Sequence, residues 1–135
     1  MGGNHFISKM PIDSPCWLMW DKKFSEEVTF AQFELAWTSF TTTCKKFDMH
    51  PSDKRRIHPT QKPVALYKWL LKNYAKQGDK ILDTHVGSAS SLIACYDMGF
   101  EYLGFELDKD YYEQATKRLE KHMSQLNMFI DEWEE

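Results

Sequence analysis

The chain has 135 residues, of which 42% are apolar and 27% are charged, so it can bury a core of single-domain size and lacks the composition of a disordered protein. No apolar run approaches the roughly 20 residues of a membrane span, and the start of the chain lacks the basic and apolar segments of a secretory signal. We therefore expect one cytoplasmic domain.

The net charge of -3 is unevenly distributed. Residues 1–50 carry 5 Lys/Arg and 6 Asp/Glu, residues 51–80 carry 8 and 2, and residues 81–135 carry 4 and 12. The middle segment is therefore a basic region between a nearly neutral segment and an acidic one.

The three cysteines Cys16, Cys44 and Cys95 are odd in number, are far apart and form no Cys-x-x-Cys pair. This pattern argues against a disulfide framework and against a structural zinc site. We expect all three to be buried or partly buried thiols.

Two aromatic runs in the first half predict strands. Residues 16–20 follow Pro15 and precede a polar turn, and residues 35–40 form the second run. Residues 41–62 lack such a pattern, so we expect a loop that contains the basic region.

The second half predicts the order helix, strand, helix, strand, helix. A helix begins at Pro63 and ends before Gly78, because its apolar residues recur every three and four positions. Residues 80–83 and 101–106 predict strands, with a helix from 88 to 98 between them. A long helix follows a cap at Asp108. This β-α-β-α pattern favours two parallel strands with a right-handed connection.

Polar residues follow both of these strands. Asp83–Ser90 forms a tight turn in which Gly87 allows close backbone approach to a ligand, and Glu106 follows the next strand, nineteen residues later. In α/β folds, ligands bind beyond the carboxyl ends of the strands, and an acidic residue at this spacing binds a ribose diol. The alternative is that Asp83 merely caps the turn.

The glycine pattern narrows the ligand class. The turn has one glycine and lacks both Gly-x-Gly-x-x-Gly and Gly-Lys-Ser/Thr, the patterns that cradle phosphates. A phosphate-free nucleoside with a charged tail, such as S-adenosylmethionine (AdoMet), therefore fits better than NAD or ATP.

The sequence resembles the DNA amino-methyltransferases, which methylate adenine N6 or cytosine N4. The resemblance is strong over residues 56–120, on His58-Pro59-Thr60-Gln61-Lys62-Pro63, Ile81-Leu82-Asp83 with Gly87-Ser88, and Phe105-Glu106-Leu107-Asp108. It is weaker over residues 2–4, 17–21 and 36–40. The motif order indicates the permuted arrangement, in which the AdoMet-binding half follows the catalytic half.

This resemblance implies a partial Rossmann-like AdoMet-dependent methyltransferase fold of the α/β class, with a mixed sheet flanked by helices. Residues 1–135 would form a single partial domain. Within it, residues 1–50 would be a remnant of the catalytic half, residues 51–62 the basic loop and motif, and residues 63–135 the AdoMet-binding half.

The resemblance also implies roles for individual residues. The turn would hold the methionine part of AdoMet, Glu106 would hold the ribose, and the start of the Pro63 helix would lie near the cofactor carboxylate. The implied cofactor-binding residues are Thr60, Gln61, Lys62, Asp83, Thr84, His85, Gly87, Ser88 and Glu106. Lys54, Arg55 and Arg56 would contact the phosphates of double-stranded DNA; the alternative is a solvated loop. Neither the family chemistry nor the sequence calls for a metal.

The sequence departs from the family in two places. Thr84, His85 and Ala89 stand in a loop that usually reads Asp-Pro-Phe-x-Gly-Ser-Gly, and Ala89 is costly in a left-handed conformation. The chain also has no Pro-Pro pair, so the catalytic Asp/Asn/Ser-Pro-Pro-aromatic loop that holds a flipped base is absent.

Without the strands of that loop, we expect a divided sheet with unpaired edges. Three interpretations stay open: a truncated frame, a fragment, or a subunit that needs a second chain. The function implied is methylation of adenine N6, or less favourably cytosine N4, within restriction and modification. The alternative is a non-catalytic AdoMet-binding remnant or a partner-dependent assembly module.

Overall fold

The computed structural model describes residue 5 and residues 7–10, 12–51 and 56–131, with the side chains of 126–131 outside this description. The chain divides into two compact units, Met1–Ser52 and Asp53–Glu135. Each unit is described by itself. The weakly matching residues 2–4 and the basic residues Lys54 and Arg55 lie outside the described residues.

The first unit contains a three-stranded sheet. Its strands are β1 (Leu18–Asp21), β2 (Phe33–Ala36) and β3 (Lys45–Asp48), in the order β2-β1-β3. β1 pairs antiparallel with β2 and parallel with β3, so the sheet is mixed. A short 3-10 helix, Ile7–Lys9, precedes the sheet.

The centre of the first unit is formed by Cys16, Leu18 and Trp20, which are buried. The Trp20 indole donates a hydrogen bond to the Met49 carbonyl at 2.8 Å, and the Thr38 hydroxyl donates one to the Cys16 carbonyl at 2.6 Å. These bonds satisfy the polar groups that would otherwise be costly to bury.

Three expectations for the first unit are corrected. β3 lies inside the predicted loop 41–62, because it is specified by pairing with β1 and not by an apolar pattern of its own. The second strand covers 33–36 in place of 35–40, because its register with β1 ends at Ala36. Cys44 is exposed rather than buried.

The second unit has the predicted element order. It contains α1 (Val64–Tyr74), β4 (Lys80–Asp83), α2 (Ser90–Asp97), β5 (Glu101–Gly104) and α3 (Lys109–Asp131). β4 and β5 are parallel neighbours, with Lys80 opposite Glu101 and Asp83 opposite Gly104. The predicted parallel β-α-β-α arrangement is confirmed.

One face of the β4-β5 pair is covered by helices. Leu71 of α1 and Ala94 and Cys95 of α2 form a buried cluster against which Ile81 and Tyr102 of the two strands pack. The next residue of each strand points to the other face. There Leu82 and Leu103 are 60% and 58% exposed, so this face is apolar and largely uncovered.

The ends of the elements differ slightly from the prediction. α2 begins at Ser90 and not at Ser88, because Ala89 is left-handed and interrupts the helix. β5 ends at Gly104, although the Phe105 amide still donates to the Asp83 carbonyl at 2.9 Å. The Asp108 cap is confirmed by a 3.0 Å bond from the Tyr111 amide to its carboxylate.

The described strands form two separate sheets, one in each unit. In the part of the chain that the structure describes, no helix combines the length and the apolar character needed to cross a membrane.

Candidate functional site

The turn after β4 is organised by the Asp83 side chain. One carboxylate oxygen accepts the His85 amide hydrogen at 3.0 Å, and the other accepts the Ser91 hydroxyl hydrogen of α2. Thr84 and His85 are exposed at the tip and their side chains contact each other at 2.9 Å. Asp83 therefore does cap the turn, and in doing so it fixes the path of the backbone to Gly87.

Glu106 and Gly87 are in direct contact at the ends of the two strands. The Gly87 amide donates to one Glu106 carboxylate oxygen at 2.8 Å, and the Asp108 amide donates to the other at 3.1 Å. The Asp108 and Gly87 hydrogen bonds lower the pKa of Glu106, with a smaller contribution from the charge of His58. Glu106 is thus an ionised acceptor at neutral pH.

The Glu106 carboxylate keeps acceptor capacity after these two bonds. Each carboxylate oxygen has two lone-pair directions, and one of each is used by a backbone amide. Glu106 is only partly buried, so a ligand can reach the remaining lone pairs. The arrangement can accept two hydroxyl hydrogen bonds from one diol.

His58 of the His-Pro-Thr-Gln-Lys-Pro motif lies against this turn. Gly87 has a φ of +56°, and a Cβ at this position would stand 3.7 Å from the His58 ring. The ring also packs on Tyr111 of α3, with 4.3 Å between ring centroids. The motif is therefore part of the same site as the glycine turn.

The motif itself is a compact turn held by internal hydrogen bonds. The Gln61 side chain is buried and accepts the Ile57 amide hydrogen at 3.1 Å, while the Gln61 amide donates to the His58 carbonyl. The Thr60 amide donates to His58 Nδ1 at 3.2 Å. These contacts orient the imidazole ring toward Gly87.

A second set of contacts fixes the start of α2. Ala89 is left-handed, with φ 61° and ψ 18°, a conformation that costs a non-glycine residue roughly 1–2 kcal/mol. Arg118 of α3 donates to the Ser88 carbonyl and to the Ser90 hydroxyl, which lies 2.9 Å away. Arg118 therefore binds the residues on both sides of the strained alanine and holds the turn.

Glycine is required at the end of β5 for reasons of space. A Cβ on Gly104 would stand 2.5 Å from Val86 Cγ2 and 3.0 Å from a Leu92 methyl group. Its absence lets the glycine turn and the first part of α2 pack closely on the strand. Beside this contact lies a cavity of about 210 Å³ that is lined in part by Glu106, Tyr112 and Leu119.

The structure brings most of the predicted cofactor residues together. Gly87 and Glu106 are bonded, Thr60 contacts the histidine that packs on Gly87, and Asp83 and His85 shape the same turn. The side chains of Gln61 and Ser88 are buried and contribute to the framework. Lys62 is half-buried. Of the three residues predicted to contact DNA, Arg56 is exposed, and Lys54 and Arg55 lie outside the described residues.

Three residues at this site were not singled out from the sequence. His58 belongs to the quoted motif, but its contact with Gly87 depends on tertiary packing. Tyr111 and Arg118 are seven residues apart, which places both on one side of a helix, and this spacing is the only signal that could have linked them.

A model of the N6 and N4 DNA methylase family, described as DNA methylase, matches residues 17–117. The chain belongs to this family. The match includes the aromatic strand β1, the motif, the glycine turn and Glu106, so it covers parts of both units. Methyltransferases of this family modify DNA and use AdoMet as their methyl donor.

Curated relatives match only part of the chain. A type II methyltransferase of Haemophilus parainfluenzae, M.HpaI, is 39% identical over 80 residues, which are 58% of this chain and 24% of that protein. M2.DpnII of Streptococcus pneumoniae is 40% identical over 63 residues, 47% of this chain and again 24% of the relative. The matched region thus spans about a quarter of these relatives.

Solved structures confirm the fold. The M1.HpyAVI–SAM complex superposes with a TM-score of 0.62 at 22% identity, over 76% of this chain and 60% of the other. TTHA0409 of Thermus thermophilus, in complex with S-adenosyl-L-methionine, gives a TM-score of 0.56 at 18% identity, over 88% and 58% of the two chains. Both are neighbours with bound AdoMet.

Proposed function

We propose that this chain is the AdoMet-binding part of a DNA methyltransferase that methylates adenine N6 or, as a second choice, cytosine N4. The observation that carries the proposal is the hydrogen bond between the Gly87 amide and Glu106 at the ends of two parallel strands. This position is where α/β folds bind nucleosides, and the family membership indicates which nucleoside.

The residues at the site fit AdoMet chemically. Bound AdoMet supplies a methyl group activated by a sulfonium, and the role of the chain is to hold the rest of that molecule. The free lone pairs of Glu106 accept the two ribose hydroxyls. The turn at Asp83, Thr84, His85, Gly87 and Ser88 offers an acidic side chain, that of Asp83, to the charged methionine part.

The motif before α1 supplies the other end of the cofactor site. Thr60, which contacts His58, and Lys62, two residues further along the motif, would offer a hydroxyl and an ammonium group to the cofactor carboxylate. Gln61 acts through its bond to the Ile57 amide, which shapes the motif. This assignment follows the family motif and is supported by the packing of His58 on Gly87.

The chemistry of methyl transfer needs groups that this sequence lacks. A target amine must be oriented and polarised by the Pro-Pro-aromatic loop, and no Pro-Pro pair is present. We propose that the loop is supplied by another coding segment or by a second chain. The exposed Leu82, Leu103 and Phe105 support this, because apolar surface beside an incomplete sheet is suited to burial against a further layer.

An alternative function is a non-catalytic AdoMet-binding module that works only as part of an assembly. The two are separated by a methyl-transfer assay with labelled AdoMet and duplex DNA. We expect no incorporation by the purified chain alone. Incorporation that appears on adding a chain with the Pro-Pro-aromatic loop favours the methyltransferase, whereas incorporation by the chain alone contradicts the dependence on another loop.

The cofactor site is tested by calorimetry with AdoMet and the variant Glu106→Ala. Hydrogen bonds to a charged group contribute about 1.5–3 kcal/mol each, so loss of two ribose bonds should weaken binding by about 100-fold or more. Glu101→Ala is the matched control. Glu101 is an exposed β5 carboxylate that forms a 2.8 Å ion pair with Lys80 and does not belong to the turn. Unchanged affinity in Glu106→Ala, or a folded chain that does not bind AdoMet, would contradict the proposal.

The basic segment at Lys54, Arg55 and Arg56 is proposed to contact DNA phosphates. Phosphate contacts provide affinity without sequence reading and weaken as salt increases. We expect replacement of all three by glutamine to reduce the salt dependence of duplex binding. An unchanged dependence on salt would assign these residues to a solvated loop.

A further inference from the structure

A second concave surface lies on the helical side of the second unit. It is a groove of about 670 Å³ that is lined by residues of α1, α2 and α3. Ile93 and Asp97 of α2, Lys68 of α1 and residues of α3 line it. Neither Gly87 nor Glu106 lines this groove, so it is distinct from the proposed cofactor site.

Among the residues whose side chains the structure describes, the α3 side of the groove carries cations and amides but no acid. Its lining residues are Gln114, Lys117, Arg118, Lys121, His122 and Gln125. They recur at the three- and four-residue spacing of a single helix face. The acidic residues of the same stretch, Asp110, Glu113 and Glu120, do not line the groove. The charges of α3 are thus segregated, and the basic face is directed into the concavity.

Asp97, the one acidic residue among the described lining residues, is already neutralised by its neighbours. Asp97 binds Lys68 Nζ at 2.7 Å and His122 Nε2 at 2.6 Å. Burial alone would raise the pKa of Asp97, but the hydrogen bonds from Lys68 and His122 outweigh it and lower the pKa. Asp97 therefore stays ionised and offsets one cation.

Two cations remain for a ligand. Lys117 and Lys121 are exposed and make no side-chain ion pair with any residue in the described ranges. They are one helical turn apart, about 6 Å along the axis. Gln114 and Gln125 add amide donors on either side. Arg118, by contrast, is bound to Ser88 and Ser90 of the cofactor turn.

We propose that this groove binds the phosphate backbone of nucleic acid through Lys117 and Lys121. Lysines on a helix face act as point charges for phosphate, and amides add hydrogen bonds to phosphate oxygens. An open basic groove suits a polyanion better than a small enclosed ligand. The inference rests on the proposed function in one respect, that the protein acts on DNA, and it adds a contact surface that does not include Glu106.

The test is duplex DNA binding as a function of salt with the double variant K117Q/K121Q. Loss of two phosphate contacts should reduce the slope of log affinity against log salt by about 2. Between about 50 and 200 mM salt, the affinity of the variant should therefore fall about ten-fold less than that of the unaltered chain. K72Q/K76Q is the matched control, since it removes two exposed lysines of the same unit that do not line the groove.

The outcomes are distinct. A reduced slope in the groove variant alone supports the proposal. An unchanged slope in that variant would overturn the proposal, and so would an equal reduction in K72Q/K76Q. It would also be overturned if poly-aspartate displaced labelled duplex DNA as effectively as unlabelled duplex DNA does, or if the chain did not bind DNA at low salt. AdoMet affinity measured in the same variants should not change. If the unaltered chain bound no AdoMet but the groove variant still reduced the salt slope, the proposed cofactor site would be contradicted and the groove proposal would stand.

Discussion

The two units of the chain are specified by different kinds of interaction. In the first unit, strand pairing defines the elements: Leu18 of the central strand β1 pairs with Ala36 of β2 on one side and with Lys45 of β3 on the other, and β3 has no apolar pattern of its own. In the second unit, α1, β4, α2 and β5 follow one another directly and pack around Leu71, Ala94 and Cys95. Local sequence patterns therefore predict each element of the second unit, whereas in the first unit they miss β3.

The ionic groups of the two units also differ in what they contact. Asp21 and Asp48 lie on the surface of the first sheet and pair with Lys23 and Lys46. Such exposed pairs contribute little to stability. Glu106 in the second unit is bound by backbone amides of the turn that it helps to form. The charged side chains of the first sheet therefore form surface ion pairs, whereas Glu106 of the second unit organises the candidate site.

The largest expected effect is that of Trp20→Ala in the first unit. Removal of this buried ring and of its bond to Met49 should lower the free energy of unfolding by about 3–5 kcal/mol. Hydrogen exchange with mass spectrometry should show loss of protection in β1 to β3 and retained protection in β4 and β5. Equal loss in both sheets would mean that the two units unfold as one.

Arg118→Gln in the second unit tests the contact that holds Ala89. Loss of its bonds to Ser88 and Ser90 should cost about 1.5–3 kcal/mol in the free energy of unfolding, measured by urea denaturation. Ala89→Gly should instead stabilise the chain by about 1 kcal/mol, because glycine adopts the left-handed conformation without strain.

The combination of these two substitutions sharpens the test. If Arg118 holds the turn against the preference of Ala89, Arg118→Gln should cost less in the Ala89→Gly background, with a coupling of at least about 0.5 kcal/mol. In these variants, AdoMet affinity should fall or rise together with the free energy of unfolding. Strict additivity would show that the two residues act independently.

Gly104→Ala tests the close packing of the glycine turn. The added methyl group would meet Val86 and Leu92, and such overpacking costs about 1–3 kcal/mol. Gly99→Ala is the comparison, because Gly99 has φ +71° but nothing within 4 Å of the added Cβ. Gly104→Ala should weaken AdoMet binding as well as stability, whereas Gly99→Ala should affect stability alone.

The smallest expected effect is on the rate at which a thiol reagent modifies the cysteines. Burial, with a smaller contribution from the charge of Asp83, raises the pKa of Cys95 to about 11, so little thiolate forms near neutral pH. Cys44 is exposed and should account for the fast phase of modification by a thiol reagent, which Cys44→Ser should abolish. A fast phase that persists in that variant would contradict the burial of Cys16 and Cys95.

The raised pKa of Cys95 also gives a pH dependence of stability. The folded chain retains this proton at pH values where the unfolded chain has lost it. Its contribution is therefore complete below the ordinary cysteine pKa of 9.0 and is lost as pH rises toward about 11. Urea denaturation of Cys95→Ala should show a flatter decline of stability over that range.

Much of the second unit could be predicted from the sequence because its signals are local. The three- and four-residue spacing after Pro63 specified α1, the glycine turn and Glu106 specified the strand ends, and Asp108 specified the start of α3. The motif and these positions were also enough to indicate the DNA methylase family. Each of these features depends on residues close together in the chain.

Only the tertiary structure showed what depends on distant residues. β3 has no apolar pattern and becomes a strand because β1 offers it hydrogen-bonding partners. The contact of Arg118 with both neighbours of the left-handed Ala89 joins residues almost thirty positions apart. His58 joins the cofactor turn through packing on Gly87, and the basic groove exists because three helices place their side chains around one space. Sequence patterns fix which face of an element is apolar or charged, but packing between elements decides which faces meet.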